Sequence, residues 1–232
     1  MAIMAWSGPS YAETLTDALV TAYKSSGLID QNRAVLRAAD EDVAQAVAAL
    51  RPVLSYALGA TYSEPSTGDD LTGSLSITAS MLLYDFGRSQ LGVDAAKETV
   101  LATRWGLVSV EQQVLLRAAV AFIEVLRATQ AVGLAENNVR LITQELQAAR
   151  DRFEVGEVTR TDVSLAEARL AGAQANLASS RGNLVAAQAE YANAVGRQPG
   201  ALSPPGSLPN VPPTLVVAQT QAVANHPDLK QV

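Results

Sequence analysis

Two long stretches of this chain place apolar residues at alternating steps of four and three, a pattern that paired helices satisfy and few other structures do. The first runs Val114, Ala118, Ala121, Val125, Ala128, Val132, Ala135, Val139, Ile142, Leu146, Ala149 and Phe153. The second runs Val163, Ala166, Leu170, Ala173, Leu177, Ser180, Leu184, Ala187, Tyr191 and Ala194, interrupted only by Ser180. A mean period of about 3.5 keeps such a seam buried if the two helices supercoil left-handedly. Neither stretch contains proline, and both are rich in Ala, Leu, Glu, Gln and Arg, which lose little entropy in a helix. The spacing therefore predicts a helical hairpin over 87–196, with a first arm from Gly87 to Phe153 about 100 Å long at 1.5 Å per residue. Between the arms, Gly156 suits a left-handed helix end, and Thr159 or Thr161 suits the start of the next helix.

Before the hairpin, residues 13–26 place Leu15, Ala18, Leu19, Ala22 and Tyr23 on one helical face, with Thr14 or Thr16 as cap and Gly27 as terminator. Residues 30–51 repeat the helical spacing with Val35, Leu36, Ala39, Val43, Ala46, Val47 and Leu50, up to the breaker Pro52. The period then drops to two. Leu54, Tyr56, Leu58, Ala60 and Tyr62 alternate with small or hydroxyl residues, and after a polar loop (63–70) Leu71, Leu75, Ile77, Ala79, Met81 and Leu83 alternate with Thr72, Ser74, Ser76, Thr78 and Ser80. The region 53–86 reads as a β-hairpin with one apolar and one hydroxyl-lined face. Two placements fit it. A soluble sheet would cover the apolar face with helices; a transmembrane barrel would turn it to lipid, for which strands of about 9 to 11 residues suffice. The flanking helices already bury their apolar faces in their own seams. On the hairpin alone a soluble sheet is still the favoured reading, because such alternation is common; the signal-like N-terminus and the very long helical rod turn the balance to lipid.

Composition removes several function classes. The net charge is −6 and the basic residues are scattered singly, so the basic stripe that nucleic acid requires is missing. There is no cysteine, which excludes disulfides and thiolate chemistry. No unbroken run of about 18 apolar residues occurs, which excludes a membrane helix on that criterion. Aromatic residues make up only 5 % of the chain, a composition suited to elongated Ala-rich helices rather than a broad globular core. His226 is the single histidine and stands in an Asn-His-Pro turn; Asp40 with Glu41, and Asp151 with Glu154, lie on rods without pocket-forming neighbours. Asp69 and Asp70 read as solvated loop residues and Trp105 as packing. No metal, cofactor or catalytic site is expected. Residues 1–12 are similar to the back end of a secretory signal peptide, with small residues at Ser10 and Ala12.

After a Pro-rich linker (197–213), Thr214-Leu-Val-Val-Ala218 and Ala222 align with Thr14-Leu-Thr-Asp-Ala18 and Ala22 at a constant offset of 200. Residues 214–232 thus read as the start of a second repeat, of which 13–196 is the first.

These motifs together resemble a known family. The hairpin ending in Tyr84-Asp-Phe-Gly-Arg88, the long helix with Glu111-Gln-Gln-Val114 and Ala121-Phe-Ile-Glu-Val-Leu-Arg127, the tip Arg152-Phe-Glu-Val-Gly156 with Thr161-Asp-Val163, then Ala166-Glu-Ala-Arg-Leu170 and Asn193-Ala-Val-Gly196, are similar to the TolC-like outer-membrane efflux proteins. The resemblance implies a mainly α fold: one repeat of an α/β-barrel channel subunit, with a transmembrane β-hairpin and a long antiparallel coiled-coil hairpin. It implies a homotrimer in the outer membrane, in contact with its lipid and extending into the periplasm. Its partners would be a periplasmic adaptor and an inner-membrane pump, or the ABC transporter of a type I secretion system. The channel would be a passive duct without catalysis or cofactor. Phe153, Val155, Gly156, Val158 and Thr159 would form the adaptor-docking tip, and Thr161 and Asp162 would help close the entrance. Without the resemblance, Thr161 and Asp162 read as ordinary helix caps. A periplasmic adaptor and a structural coiled-coil protein are the alternative functions. The adaptor would need lipoyl-like halves flanking the coiled coil, and the coiled-coil protein leaves the β-hairpin unexplained.

Overall fold

The structure, a computed structural model, describes residues 12–63, 70–206 and 210–231, with the side chains of 63 and 70 set aside. Along the chain lie α1 (Leu15–Ser25), α2 (Gly27–Ala48), β1 (Val53–Ser63), β2 (Asp70–Ser80), α3 (Arg88–Glu154), α4 (Arg160–Val195), α5 (Leu215–Asn225) and α6 (Pro227–Lys230). They divide into two compact units, one formed by the chain up to Ile29 with Val110–Ala218, the other by Asp30–Ser109 with the residues from Gln219 onward.

The first unit is built on α4 and the distal part of α3. Along α3, the predicted seam positions from Val114 to Ala149 are buried or half-buried, Phe153 alone being exposed; on α4 the whole seam is sheltered, Ser180 included. Alanine at Ala118, Ala121, Ala128 and Ala173, each at most 5 % exposed, brings the axes close. Three ion pairs flank the seam: Arg117–Glu190 at 2.8 Å, Arg181–Glu136 at 2.9 Å and Arg150–Glu167 at 2.7 Å. All are half-exposed, so each contributes about 0–1 kcal/mol, and their main effect is to fix register. α1 adds a third helix. Ala18 and Ala22 pack with Ala118, Ala121, Phe122 and Val125 of α3 and Tyr191 and Val195 of α4, with the Phe122 and Tyr191 rings 6.4 Å apart. Phe122 and Val195 lie outside the heptad seam. They are buried because α1 covers them.

Two helix boundaries depart from the sequence reading. α1 ends at Ser25 with Ser26 extended, and Gly27, expected as a terminator, is the first residue of α2. The reason is capping. The Ser26 hydroxyl accepts from the Ile29 N–H at 3.4 Å and starts a new helix there. At the other end α2 stops at Ala48, short of Pro52, and Leu50 is exposed. Of the two threonines offered as a cap for α1, Thr14 serves, in a reciprocal capping box with Asp17.

In the second unit α2 shelters Leu36, Ala39, Val43, Ala46 and Val47, whereas Val35 is exposed. The β-hairpin pairs antiparallel in a register that sets like against like: Leu54 faces Ala79, Tyr56 faces Ile77, Leu58 faces Leu75, while Ser55 faces Thr78 and Thr61 faces Thr72. Directly opposed residues share a face, so the apolar and hydroxyl faces of the two strands coincide. Met81 and Leu83, expected on β2, lie beyond its paired end at Ser80. One sequence exclusion needs correction: α3 is long enough, and over an 18-residue window apolar enough (mean hydropathy 1.4), to cross a membrane by composition. Its Ala- and Val-rich seam raises the mean without forming an unbroken apolar run. The signal-like residues 1–11, most of the 63–70 loop including Asp69, and part of the Pro-rich linker (207–209) lie outside the described residues.

Candidate functional site

Two features carry the functional chemistry, one in each unit. In the first, the turn between α3 and α4 is a Schellman motif. Gly156 is left-handed (φ 81°), its N–H donates to the Phe153 carbonyl at 3.0 Å, and the Glu157 N–H donates to the Arg152 carbonyl at 2.9 Å. Thr159 then caps α4. Its Oγ1 donates to Asp162 Oδ2 at 2.7 Å, its N–H donates to the same oxygen at 2.8 Å, and the Asp162 N–H returns a bond to Thr159 Oγ1 at 3.4 Å. The hydrogen bond from the Thr159 side chain, then that from its backbone, holds the Asp162 carboxyl below the usual range. Thr161, offered as an alternative cap, is not the cap residue. This fixed frame displays Phe153 and Val155 at 44 % and 73 % exposure, with Thr159, Thr161 and Asp162 exposed and Val158 half-buried. The predicted tip residues thus cluster at one short turn, and the cap occupies Asp162 within its own chain.

The second feature is the apolar face of the β-hairpin. Leu54, Tyr56, Leu58, Leu75 and Ile77 are 69–83 % exposed. Among the described residues the sheet has two strands, so no third strand pairs with the outer edge of either. An apolar surface of this extent on a two-stranded sheet points to an environment other than water.

A third cluster was not legible in the sequence. Glu13 lies between α1 and the linker that follows α4. Its N–H donates to the Ala201 carbonyl at 2.7 Å, its carbonyl accepts from Ser203 N–H at 3.0 Å, and its Oε1 accepts from Tyr191 Oη at 2.5 Å and Arg197 Nη2 at 2.6 Å. Burial, followed by the bond to Glu13, pushes the Tyr191 phenol well above its usual range; the same carboxylate raises Arg197. The residues involved are 178 and 184 positions apart, so only the fold brings them together. An open cleft of about 570 Å³ beside the cluster is lined by Asp17, Val20, Thr21 and Gln198. Elsewhere, His226 caps α6, accepting from the Asp228 N–H at 3.3 Å, and Trp105 packs under Lys230 Nζ at 4.6 Å. Among the described residues no group of three or more His, Asp and Glu side chains is placed to hold a metal ion.

A long Ala-seamed helical hairpin following a β-hairpin with a bare apolar face defines a class: one repeat of a TolC-like outer-membrane channel subunit. Residues 19–197 match the family model described as outer membrane efflux protein. Over 219 residues the chain is 36 % identical to the outer membrane efflux protein BepC of Brucella suis biovar 1 (strain 1330), covering 94 % of this chain and 48 % of that protein. Among solved structures it is similar to CusC, with a TM-score of 0.76 at 17 % identity over 94 % of this chain and 52 % of that one. It is also similar to VceC of Vibrio cholerae, with a TM-score of 0.68 at 22 % identity over 80 % and 47 %. The chain belongs to the outer membrane efflux protein family, which places it in the outer membrane. It spans about half the length of these relatives.

Proposed function

We propose that this chain is the first repeat of a channel subunit that works as a homotrimer, the passive exit duct of a tripartite efflux pump or a type I secretion system. The bare apolar face of the β-hairpin carries this reading. In a closed barrel that face meets lipid, the outer strand edges pair with neighbouring hairpins, and the hydroxyl face lines a wet lumen. Two other observations support it. α3 carries a second apolar stripe away from its seam, with Leu116, Val120, Ile123, Leu134 and Leu141 each 49–73 % exposed, as a helix needs if other helices flank it in a tubular wall. The start of a second repeat is supported by structural recurrence. Thr14 and Thr214 precede α1 and α5, which begin at Leu15 and Leu215, and Ser26 and His226 precede α2 and α6, which begin at Gly27 and Pro227.

The tip then has a definite task. Phe153, Val155, Gly156, Val158 and Thr159 dock the tip of a periplasmic adaptor, with apolar contact from the first two and backbone groups from the turn. Thr161 and Asp162 face a neighbouring hairpin and help close the entrance. The inner-membrane pump or ABC transporter supplies the energy, and the duct itself performs no reaction. Extraction of the natural protein from membranes with and without detergent, followed by mass and oligomer analysis, tests the whole. A detergent-dependent trimer is expected. A water-soluble monomer would overturn the channel reading in favour of an adaptor or a coiled-coil spacer.

A further inference from the structure

The helical hairpin of α3 and α4 has two edges and two broad faces, and they are occupied unequally. One broad face carries α1, which shelters Phe122, Leu126 and Val195. Residues a multiple of seven apart stay on one side of a heptad-spaced helix, so Glu136 and Arg150 on α3, with Arg181 and Glu167 on α4, continue that face towards the tip. The Arg117–Glu190 pair crosses the opposite face, with side chains 60 % and 50 % exposed. Steps of seven from that pair set Glu124 level with Asn183, Ala131 with Asn176, and Asn138 with Arg169. Asn138, Arg169, Asn176 and Asn183 are all exposed, so among the described residues nothing covers this second face. The edges are apolar. α3 presents its stripe of large residues, and α4 presents Ala168, Gly172, Ala175, Gly182, Ala186 and Ala189, all exposed. Glycine inside a helix costs about 1 kcal/mol relative to alanine, yet a Cβ at Gly172 or Gly182 would meet nothing within 4 Å. Edges of this kind close sideways onto further helices, which leaves the broad faces as the inner and outer surfaces of a wall.

Size decides which surface is which. In a ring of three subunits, each with two repeats of two long helices spaced about 10 Å apart, opposite axes lie about 38 Å from each other. Helices about 10 Å thick leave a bore of about 28 Å, and an inner layer of helices such as α1 would narrow it to about 8 Å. α1 therefore belongs outside an open duct, and the uncovered face lies inside. That face is balanced in charge over its middle. Arg117 and Glu190 neutralise each other at 2.8 Å, and Glu124 is paired with Arg127 at 2.7 Å. From there to Arg169 the face presents the amides of Asn183, Asn176 and Asn138. Ser180, the one polar break in the α4 seam, opens onto the same stretch, in a shallow cleft of about 480 Å³ with Ala131, Leu134, Ala135 and Asn138.

We propose that Asn138, Asn176 and Asn183 form a solute-contact stretch on the inner wall of the duct, a neutral amide surface that meets the passing solute through hydrogen bonds rather than charge. This rests on the channel reading, and the test separates the two. Because the chain has no cysteine, single cysteines can each carry a nitroxide in the natural protein. A label about 7 Å from its helix axis lies about 12 Å from the centre of the ring on the inner face and about 26 Å on the outer, so symmetric labels in a trimer stand about 20 Å or about 45 Å apart. By double electron–electron resonance, Asn138→Cys, Asn176→Cys and Asn183→Cys should give the short distance, and Thr143→Cys and Gln174→Cys, on the side of α1, the long one. The reverse order would overturn the assignment while leaving the trimer standing. No intersubunit distance at any label would overturn the channel reading and the assignment together. Current through the reconstituted channel in planar bilayers tests the contact. Asn176→Asp should shift the permeability ratio of potassium to chloride about twofold towards the cation and Asn176→Lys about twofold towards the anion, with Gln174→Asp and Gln174→Lys unchanged. An unchanged ratio in both Asn176 variants would overturn the contact with solute. A shift in only one of them would show a wall already charged and overturn its neutrality.

Discussion

At the scale of single residues, small side chains and shared hydrogen bonds decide how closely the helices approach. Gly196 ends α4 at φ 86°, and a Cβ there would lie 2.7 Å from Ser25 Oγ, the same hydroxyl that donates to the Val195 carbonyl at 2.9 Å. Gly196→Ala therefore meets both backbone strain and a clash with α1. We expect a loss of about 1–2 kcal/mol or more, read as a lower melting temperature by circular dichroism in detergent. The Glu13 cluster gives a second expectation. Tyr191→Phe removes a buried hydrogen bond to a carboxylate and should cost about 1–2 kcal/mol. The phenol is raised in the folded state, so its contribution is fully present below the usual tyrosine range and declines as pH rises through and beyond that range. Melting temperature followed upward from neutral pH should fall in the native protein above that range, and the fall should be smaller in Tyr191→Phe. An identical decline in both would show that the Glu13 bond does not link folding to this proton.

At the scale of elements, the turn between α3 and α4 is held by its own caps, independently of the docking role proposed for it. Thr159→Ala should destabilise the start of α4 by about 1 kcal/mol, visible as faster amide exchange at Asp162 and Val163. The Asp162 carboxyl is held below its usual range, so the cap is complete above that range and is lost as pH falls through the lowered value. The Thr159 amide, which donates to that carboxylate, should lose protection only in acid. Mutations at Phe153 or Val155, whose side chains are exposed, should leave exchange and melting unchanged and, if the proposed docking role holds, weaken adaptor binding, which separates that role from the structural one. The seam behaves differently. Ala121 is 2 % exposed where three helices meet, so Ala121→Leu overpacks the contact and should cost about 1–3 kcal/mol.

At the scale of the whole molecule, the two faces of the β-hairpin should respond to charge in opposite ways. Leu58→Lys places a cation on the apolar face and should cost about 2–4 kcal/mol near the bilayer midplane. Ser76→Lys, on the hydroxyl face, should be tolerated. The amount of each variant recovered from outer-membrane fractions checks this; equal recovery of the two would mean that the apolar face does not meet lipid. Both variants keep the backbone register of the sheet, so a difference between them reports environment rather than pairing.

The sequence by itself determined periodicity. Steps of four and three named nearly every sheltered seam position on α3 and α4, and steps of two named the two faces of the hairpin, because side-chain direction follows directly from helical or strand geometry. The tip residues were legible for the same local reason, since Gly156 and Thr159 answer to φ angles and caps formed within a few positions. Only the tertiary structure decided what depends on distant parts of the chain. Phe122 is buried because α1 packs on it, Gly27 opens a helix because Ser26 caps it, and Glu13 finds Tyr191 and Arg197 across 178 and 184 positions. Spacing along a chain fixes which way a side chain points; what it meets there depends on which other segment has come to lie beside it.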